Sequence, residues 1–87
     1  MVYMAEFFTT SDFSNSLGKL DQETQRRIKE KVTFFADQEN PILFAKKLKG
    51  YKDVFRFRVG DYRIVFQLSE KKIILLLVKH RREIYAS

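Results

Sequence analysis

Three arginines, Arg56, Arg58 and Arg63, have the residue type and spacing for chemistry on a phosphate. They lie in the stretch VFRFRVGDYRIVFQL, residues 54–68, where apolar residues alternate on both sides of a Gly-Asp pair. This pattern predicts a β-hairpin with a type II′ turn, which needs Gly at its first central position. Alternation then places the arginines on one face, with Arg58 directly opposite Arg63. Like charges in that position destabilise a hairpin, whereas guanidinium groups match phosphate oxygens, so we predict an anion-binding face.

The other face of this hairpin is predicted to be apolar. The same turn pairs Val59 with Tyr62, Phe57 with Ile64 and Phe55 with Phe66. The alternative is that the arginines bind no ligand. They would then form an exposed strand face and pair with Asp53, Glu70 or Glu83. We favour ligand binding because no carboxylate lies within the two hairpin strands themselves.

A second basic group follows the third predicted strand and consists of Lys79, His80, Arg81 and Arg82. A second hairpin brings this group back beside Arg63. A turn with an even number of residues places Val78 opposite Arg63 and points His80 toward the arginines, whereas a three-residue turn points Arg81 there instead. His80 is the one histidine of the chain. Histidine is the residue type that most often acts as a general acid or base, and the alternative for His80 is a surface role at a strand end.

Other candidates adjoin the predicted hairpin. Lys46, Lys47 and Lys49 form a basic run. Such runs are usually solvated loops, but beside the arginines they are candidates for contacts with a nucleic-acid backbone. Tyr85 either anchors the C-terminus on the sheet or supplies a phenol that stacks on a base or hydrogen-bonds to phosphate.

Composition limits the class of protein. The 87 residues, 45% of them hydrophobic, are expected to form a single domain, residues 1–87, with one small core. The absence of cysteine excludes disulfides, thiolate nucleophiles and cysteine zinc sites, and fits a cytoplasmic location. No apolar run is long enough to cross a bilayer, so we expect a cytoplasmic protein that does not associate with membranes.

The positive charge is concentrated in one half of the chain. Residues 46–87 contain twelve Lys and Arg against four Asp and Glu, whereas residues 1–45 contain five against seven. This asymmetry is typical of a surface that binds nucleic acid or another polyanion. The alternative is a basic surface that only aids solubility.

Hydrophobic periodicity predicts an α+β fold, in which two N-terminal helices in a hairpin pack on a mainly antiparallel β-sheet. A first strand is expected over residues 3–8, a helix from about residue 12 to 18, and a second helix over 22–38 whose apolar stripe is Ile28, Val32, Phe35 and Ala36. Residues 42–50 are predicted as a loop, and further strands over 54–59, 62–68 and 72–79. The last strand is apolar on both faces, so it should be central or covered twice, while one helix pair covers only one face.

These patterns together resemble the RelE/ParE superfamily of bacterial and archaeal toxins. The motifs are L-K-G at 48–50, R-x-R-x-G-x-Y-R at 56–63 and H-R-x-x-x-Y at 80–85, and the resemblance covers nearly the whole chain. It implies a fold of the microbial-ribonuclease type. It also implies a toxin of a type II toxin-antitoxin system that cleaves messenger RNA in the ribosomal A site. The implied reaction is attack of the ribose 2′-hydroxyl on the adjacent phosphate, without metal or other cofactor.

The resemblance also implies roles for individual residues. The family's catalytic positions fall on Arg56, Arg58, Arg63, Arg81 and Tyr85. Contacts with the RNA backbone are expected from Lys46, Lys47, Lys49, Lys79 and Arg82. Arginine remains protonated under nearly all conditions, so the general base is Tyr85 or His80, or else the ribosome aligns the RNA so that charge stabilisation suffices.

The partners implied by the resemblance are the ribosome with its messenger RNA and a RelB-type antitoxin, which together with the toxin forms a heterotetramer. Operator DNA is expected to contact the antitoxin and not the toxin alone. Two other functions stay open: a ParE-like inhibitor of DNA gyrase, and a small RNA-binding module without catalysis.

Overall fold

The structure, a computed structural model, describes residues 5–84. Its helices are α1 (Ser11–Gly18), α2 (Gln22–Ala36) and a final helical turn, α3 (Arg81–Ile84). Its strands are β1 (Glu6–Thr9), β2 (Ala45–Lys47), β3 (Val54–Val59), β4 (Tyr62–Ser69) and β5 (Lys72–His80). They form one sheet in the order β1-β5-β4-β3-β2, in which β1 runs parallel to β5 and the other pairs are antiparallel. The predicted α+β fold is therefore confirmed.

The hairpin of β3 and β4 has the predicted register. Arg58 faces Arg63, Phe57 faces Ile64, and the other expected pairs are also present. Gly60 has a φ of 58°, a conformation that residues with a side chain rarely adopt. Positive φ at the first central position and not at the second is the signature of the predicted type II′ turn.

Helices α1 and α2 each begin at a side-chain cap. The Thr10 hydroxyl oxygen accepts the backbone N–H of Phe13 at 3.1 Å, and the Asp21 carboxylate accepts that of Thr24 at 2.9 Å. The Thr10 hydroxyl also donates to the Leu75 carbonyl oxygen of β5 at 2.9 Å. These bonds satisfy N–H groups that the first turn of a helix leaves free, and the one to Leu75 ties α1 to the sheet.

Aromatic rings from α2 and the sheet form the centre of the core. The ring of Phe57 stacks on Phe35 at 4.1 Å and on Phe66 at 4.4 Å between centroids. In the predicted stripe of α2, Ile28 and Phe35 are buried and Val32 is half-buried. Ala36, however, is exposed. α2 ends there, two residues before its predicted end, because the N–H of Gln38 donates to the carbonyl three residues back and tightens the last turn. None of the helices within residues 5–84 has the length and apolarity that crossing a bilayer requires.

Two boundaries differ from the prediction. The segment expected to be a loop contains a 3₁₀ turn, Pro41–Phe44, followed by β2, which pairs with β3 at the edge of the sheet. A strand of three residues is too short to show a hydrophobic period in the sequence. It forms because it hydrogen-bonds to backbone N–H and C=O groups at the edge of β3. The first strand begins at Glu6, and Tyr3, where it was predicted to begin, lies outside the described residues.

The pairing of β4 with β5 corrects the predicted position of the C-terminal basic group. The turn between them has two residues, since Ser69 faces Lys72, but a bulge between Val65 and Phe66 leaves Leu76 without an opposite residue. The extra residue shifts the register by one. Lys79 therefore lies opposite Arg63, where a two-residue turn without a bulge would place Val78. β5 itself lies between β1 and β4, which confirms that this strand is central.

Candidate functional site

Strand alternation divides the sheet into two faces. The covered face packs against α1 and α2 and includes Phe57, Ile64 and Phe66. The open face is the opposite side and carries five basic side chains in facing positions, namely Lys46 opposite Arg56, Arg58 opposite Arg63, and Arg63 opposite Lys79. Adjacent strands are about 4.8 Å apart, so two cations that face each other on neighbouring strands lie close enough to contact the same phosphate.

A cleft of about 270 Å³ opens among these residues. It is lined by Phe44, Lys46, Arg56, Arg58 and Arg63. The arginines predicted from the hairpin pattern are thus brought together, with one of the predicted backbone-binding lysines beside them. A concave site lined by cations concentrates positive potential and is suited to an anionic ligand.

Arg63 is the most constrained member of this group. Its side chain is buried, with the residue 7% exposed, and its Nη1 donates to the carbonyl oxygens of Gly60 and Tyr62, each at 2.9 Å. The hairpin turn therefore holds the guanidinium in place. Within residues 5–84 it has no carboxylate partner, and a buried charge without a counter-ion is costly unless a ligand supplies one.

Of the three carboxylates that could have neutralised the face, one pairs with Lys79 and two form no ion pair among residues 5–84. Glu83 lies 3.8 Å from Lys79. Asp53 and Glu70 form no ion pair among the described residues, and Arg58, which is exposed, has none there either. The alternative hypothesis, in which the hairpin arginines pair with these carboxylates, therefore does not hold for Arg58 or Arg63.

The C-terminal candidates do not all reach the cleft. The Arg81 Nε lies 3.6 Å from Asp61 Oδ1, and the Arg81 N–H donates to the Asp61 carbonyl oxygen at 2.7 Å, so Arg81 lies at the hairpin turn. His80 faces Tyr62 on the covered face, with the two rings perpendicular and 5.4 Å apart. An even-length turn alone would point His80 toward the arginines, and the bulge reverses this orientation. Tyr85 lies outside the described residues.

The remaining predicted basic residues are spread around the site. Lys47 faces Phe55 and is exposed at the sheet edge. Lys49 and Lys79 border a second, largely apolar depression on the open face. Arg82 is exposed on α3, and its N–H donates to His80 Nδ1 at 3.2 Å. Of the proposed backbone-binding residues, Lys46 lines the cleft.

Sequence reasoning missed Phe44. This residue lies in the segment predicted as a loop, yet it lines the cleft and is 47% exposed. The apolar residues after Pro41 were the available signal, but they have no period from which a face could be assigned.

Comparison with known proteins agrees with the fold and the motifs. The family model described as "ParE toxin of type II toxin-antitoxin system, parDE" matches residues 8–85. The chain belongs to this family. Toxin RelE3 of Methanocaldococcus jannaschii is 48% identical over 40 residues, which span 46% of this chain and 46% of that toxin. The chain thus aligns with less than half of this curated relative.

Solved structures extend the similarity over most of the chain. The RelB-RelE antitoxin-toxin complex from Methanococcus jannaschii matches with 30% identity and a TM-score of 0.73, covering 91% of this chain and 95% of that one. The archaeal RelE-RelB complex from Pyrococcus horikoshii matches with 26% identity and a TM-score of 0.69, covering 90% and 96%. The predicted membership in the RelE/ParE superfamily is confirmed, and the chain is RelE-like.

Proposed function

We propose that this RelE-like toxin is a ribosome-dependent endoribonuclease that cleaves messenger RNA in the A site. The observation that carries the proposal is the pair Arg58 and Arg63, which face each other in a cleft and have no carboxylate partner within residues 5–84. Folding alone gains nothing from this arrangement. A phosphodiester of single-stranded RNA supplies the missing negative charge.

Charge stabilisation is the main catalytic contribution in this proposal. When the ribose 2′-hydroxyl attacks the adjacent phosphorus, the pentacoordinate phosphorane carries more negative charge than the ground state. A guanidinium already fixed by backbone carbonyls, as in Arg63, does not have to reorganise as this charge develops. Fixed donors of this kind stabilise the transition state more than the substrate, and Arg56 and Arg58 complete the cleft.

Proton removal falls to other groups. A guanidinium group does not act as a base in proteins, and the ring of His80 lies on the opposite face of the sheet from the cleft. The proposal therefore assigns this step to Tyr85, or to alignment of the RNA by the ribosome. Arg81, held at the hairpin turn by Asp61, acts from the rim of the cleft, and Lys46, Lys47, Lys49, Lys79 and Arg82 contact the RNA backbone.

We further propose a RelB-type antitoxin as partner in the cytoplasm, in a heterotetramer. The two archaeal RelE structures are complexes with RelB. On the open face of this chain an apolar depression of about 380 Å³ includes Leu48, Val54, Leu77 and Ile84, with Tyr51 62% exposed at its border. Exposed apolar surface of this kind is typical of a protein interface.

The deciding experiment maps messenger cleavage on translating ribosomes by primer extension. We expect wild type to cut in the A site, and Arg63→Ala or Arg81→Ala to remove both cleavage and growth arrest while circular dichroism still shows a folded protein. Wild-type toxicity in both variants would remove the site assignment.

A second candidate, inhibition of DNA gyrase, is favoured by the matching family model, which is described as a ParE toxin. Gyrase supercoiling is therefore assayed with the same preparations. Loss of supercoiling by a toxin that leaves A-site messenger intact would replace the ribonuclease proposal. RNA binding without scission or gyrase inhibition would indicate a binding module.

A further inference from the structure

The cleft on the open face has one aromatic wall. Phe44 is the last residue of the 3₁₀ turn, directly before β2, and it lines the cleft together with Arg56, Arg58 and Arg63. It is 47% exposed, so much of this apolar side chain remains in water. Packing buries about half of the residue, and the other half is accessible to a ligand.

Contacts from α2 hold the Phe44 ring in place. It meets Phe34 edge-on with centroids 5.6 Å apart, and Phe35 at a tilt with centroids 5.9 Å apart. Phe35 is itself a core residue, 4% exposed. Pro41, which is buried, fixes the start of the 3₁₀ turn. A ring held in this way loses little conformational freedom when a ligand stacks on it.

The combination of a fixed aromatic ring with several cations defines the ligand chemistry. Proteins that bind single-stranded nucleic acid neutralise the backbone with cations and stack bases on aromatic rings. A purely apolar protein segment would leave Arg58 and Arg63 of the same cleft without a carboxylate or phosphate partner among residues 5–84. The observations thus favour a nucleotide, with its phosphate at the arginines and its base at Phe44.

We infer that Phe44 is a positioning residue that stacks on a base next to the phosphate held by Arg58 and Arg63. This inference rests on the proposed ribonuclease function and adds a contact to the nucleobase. Every base has a face that can stack, so the contact tolerates different bases. Stacking on Phe44 would fix which nucleotide of the RNA places its phosphate at Arg58 and Arg63.

The test uses Phe44→Trp, since the chain has no tryptophan and the new side chain is a single fluorescent reporter. The probe is a short 2′-O-methyl oligoadenylate, which lacks the attacking hydroxyl and so cannot be cleaved. The control ligand is an abasic oligomer with the same number of phosphates. We expect the oligoadenylate to quench Trp emission and the abasic oligomer to leave it nearly unchanged. Phe8→Trp is the matched control, because Phe8 is 42% exposed on β1 at the other edge of the sheet, and its emission should respond to neither probe.

Affinity supplies an independent measurement. By fluorescence anisotropy, Phe44→Leu should weaken binding of labelled oligoadenylate by about tenfold, within the range for loss of one stacked base. Phe44→Tyr should retain affinity, and the affinity of all variants for the abasic oligomer should be equal. Thermal melting of each variant confirms that it is folded.

The outcomes separate this inference from the proposed function. Oligoadenylate binding that leaves the Trp emission unchanged, or that Phe44→Leu does not weaken, overturns base stacking and leaves the ribonuclease proposal in place. A quenched Trp together with wild-type protein that does not cleave on ribosomes supports stacking and overturns the ribonuclease proposal. Absence of oligoadenylate binding overturns base stacking and leaves the ribonuclease proposal to the cleavage assay, because on the ribosome the RNA is positioned by the ribosome.

Discussion

The two faces of one β-hairpin follow opposite physical rules. On the covered face, β3 and β4 supply Phe57 and Phe66, whose rings stack at 4.4 Å and are fully buried. On the open face, Arg58 of β3 faces Arg63 of β4. The covered face lowers the free energy of the folded chain by burying apolar area. The open face raises it by opposing two like charges.

The difference between the faces separates folding from function. A residue whose removal destabilises the protein belongs to the covered face, and a residue whose removal abolishes activity without loss of stability belongs to the open face. Removal of Arg63 should affect both stability and activity, because its side chain lies in the cleft but is also buried and donates to backbone carbonyls of the turn. Arg58 is exposed and is therefore the cleaner probe of function.

The largest effect on stability is expected for Phe57→Ala. Phe57 is fully buried between Phe35 and Phe66, so the truncation leaves a cavity and should lower the free energy of unfolding by about 3–5 kcal/mol. Urea denaturation measures this loss. Phe8→Ala, at a site 42% exposed, is the control and should cost much less. Equal losses in both variants would contradict the division into faces.

A large loss of activity without loss of stability is expected for Arg58→Ala. Removing a donor that stabilises developing charge should slow A-site cleavage by about 100-fold, with the urea midpoint no lower than that of wild type. Arg58→Lys keeps the charge without the planar fork and should retain part of the activity. Arg26→Ala is the matched control, since Arg26 is an exposed residue of α2 and pairs with Glu23 and Glu30. Cleavage by Arg58→Ala at the wild-type rate would show that the open face is not the active surface.

A smaller effect is expected at the cap of α1. Thr10→Ala removes the bond to the Phe13 N–H and the bond to the Leu75 carbonyl, and should destabilise the protein by about 1–2 kcal/mol. Thr10→Ser retains the hydroxyl and should recover most of the loss. Cleavage per folded molecule should not change, because this cap serves only the covered face. A cleavage defect in folded Thr10→Ala would weaken the comparison.

The smallest effect has the opposite sign. Arg58→Gln removes one of two facing like charges and should raise the free energy of unfolding by about 0.2–1 kcal/mol. The gain should shrink between low and high salt, because exposed charges are screened. Urea titrations of wild type and Arg58→Gln at two ionic strengths measure it. A loss of stability would mean that Arg58 contributes to folding, and the open face would then not be specialised for ligand.

Two neighbouring parts of the sheet show why some positions could be predicted and others could not. Between Val54 and Ser69, apolar and polar residues alternate around Gly60, so the period of two fixes the face of each arginine. Residues 73–78 read IILLLV and contain no polar residue to mark a phase. The sequence therefore contains no sign of the bulge at Leu76, and it leaves open whether His80 or Arg81 shares the face of the arginines.

The sequence by itself determined the hairpin, its register, the shared face of Arg56, Arg58 and Arg63, and the resemblance to RelE-like toxins, because these depend on local alternation and short motifs. Only the tertiary structure decided that Lys79 and not His80 lies beside Arg63, that Asp61 holds Arg81 at the turn, and that Phe44 lines the cleft. Those placements depend on a bulge and on contacts between residues far apart in the chain, which no local pattern encodes.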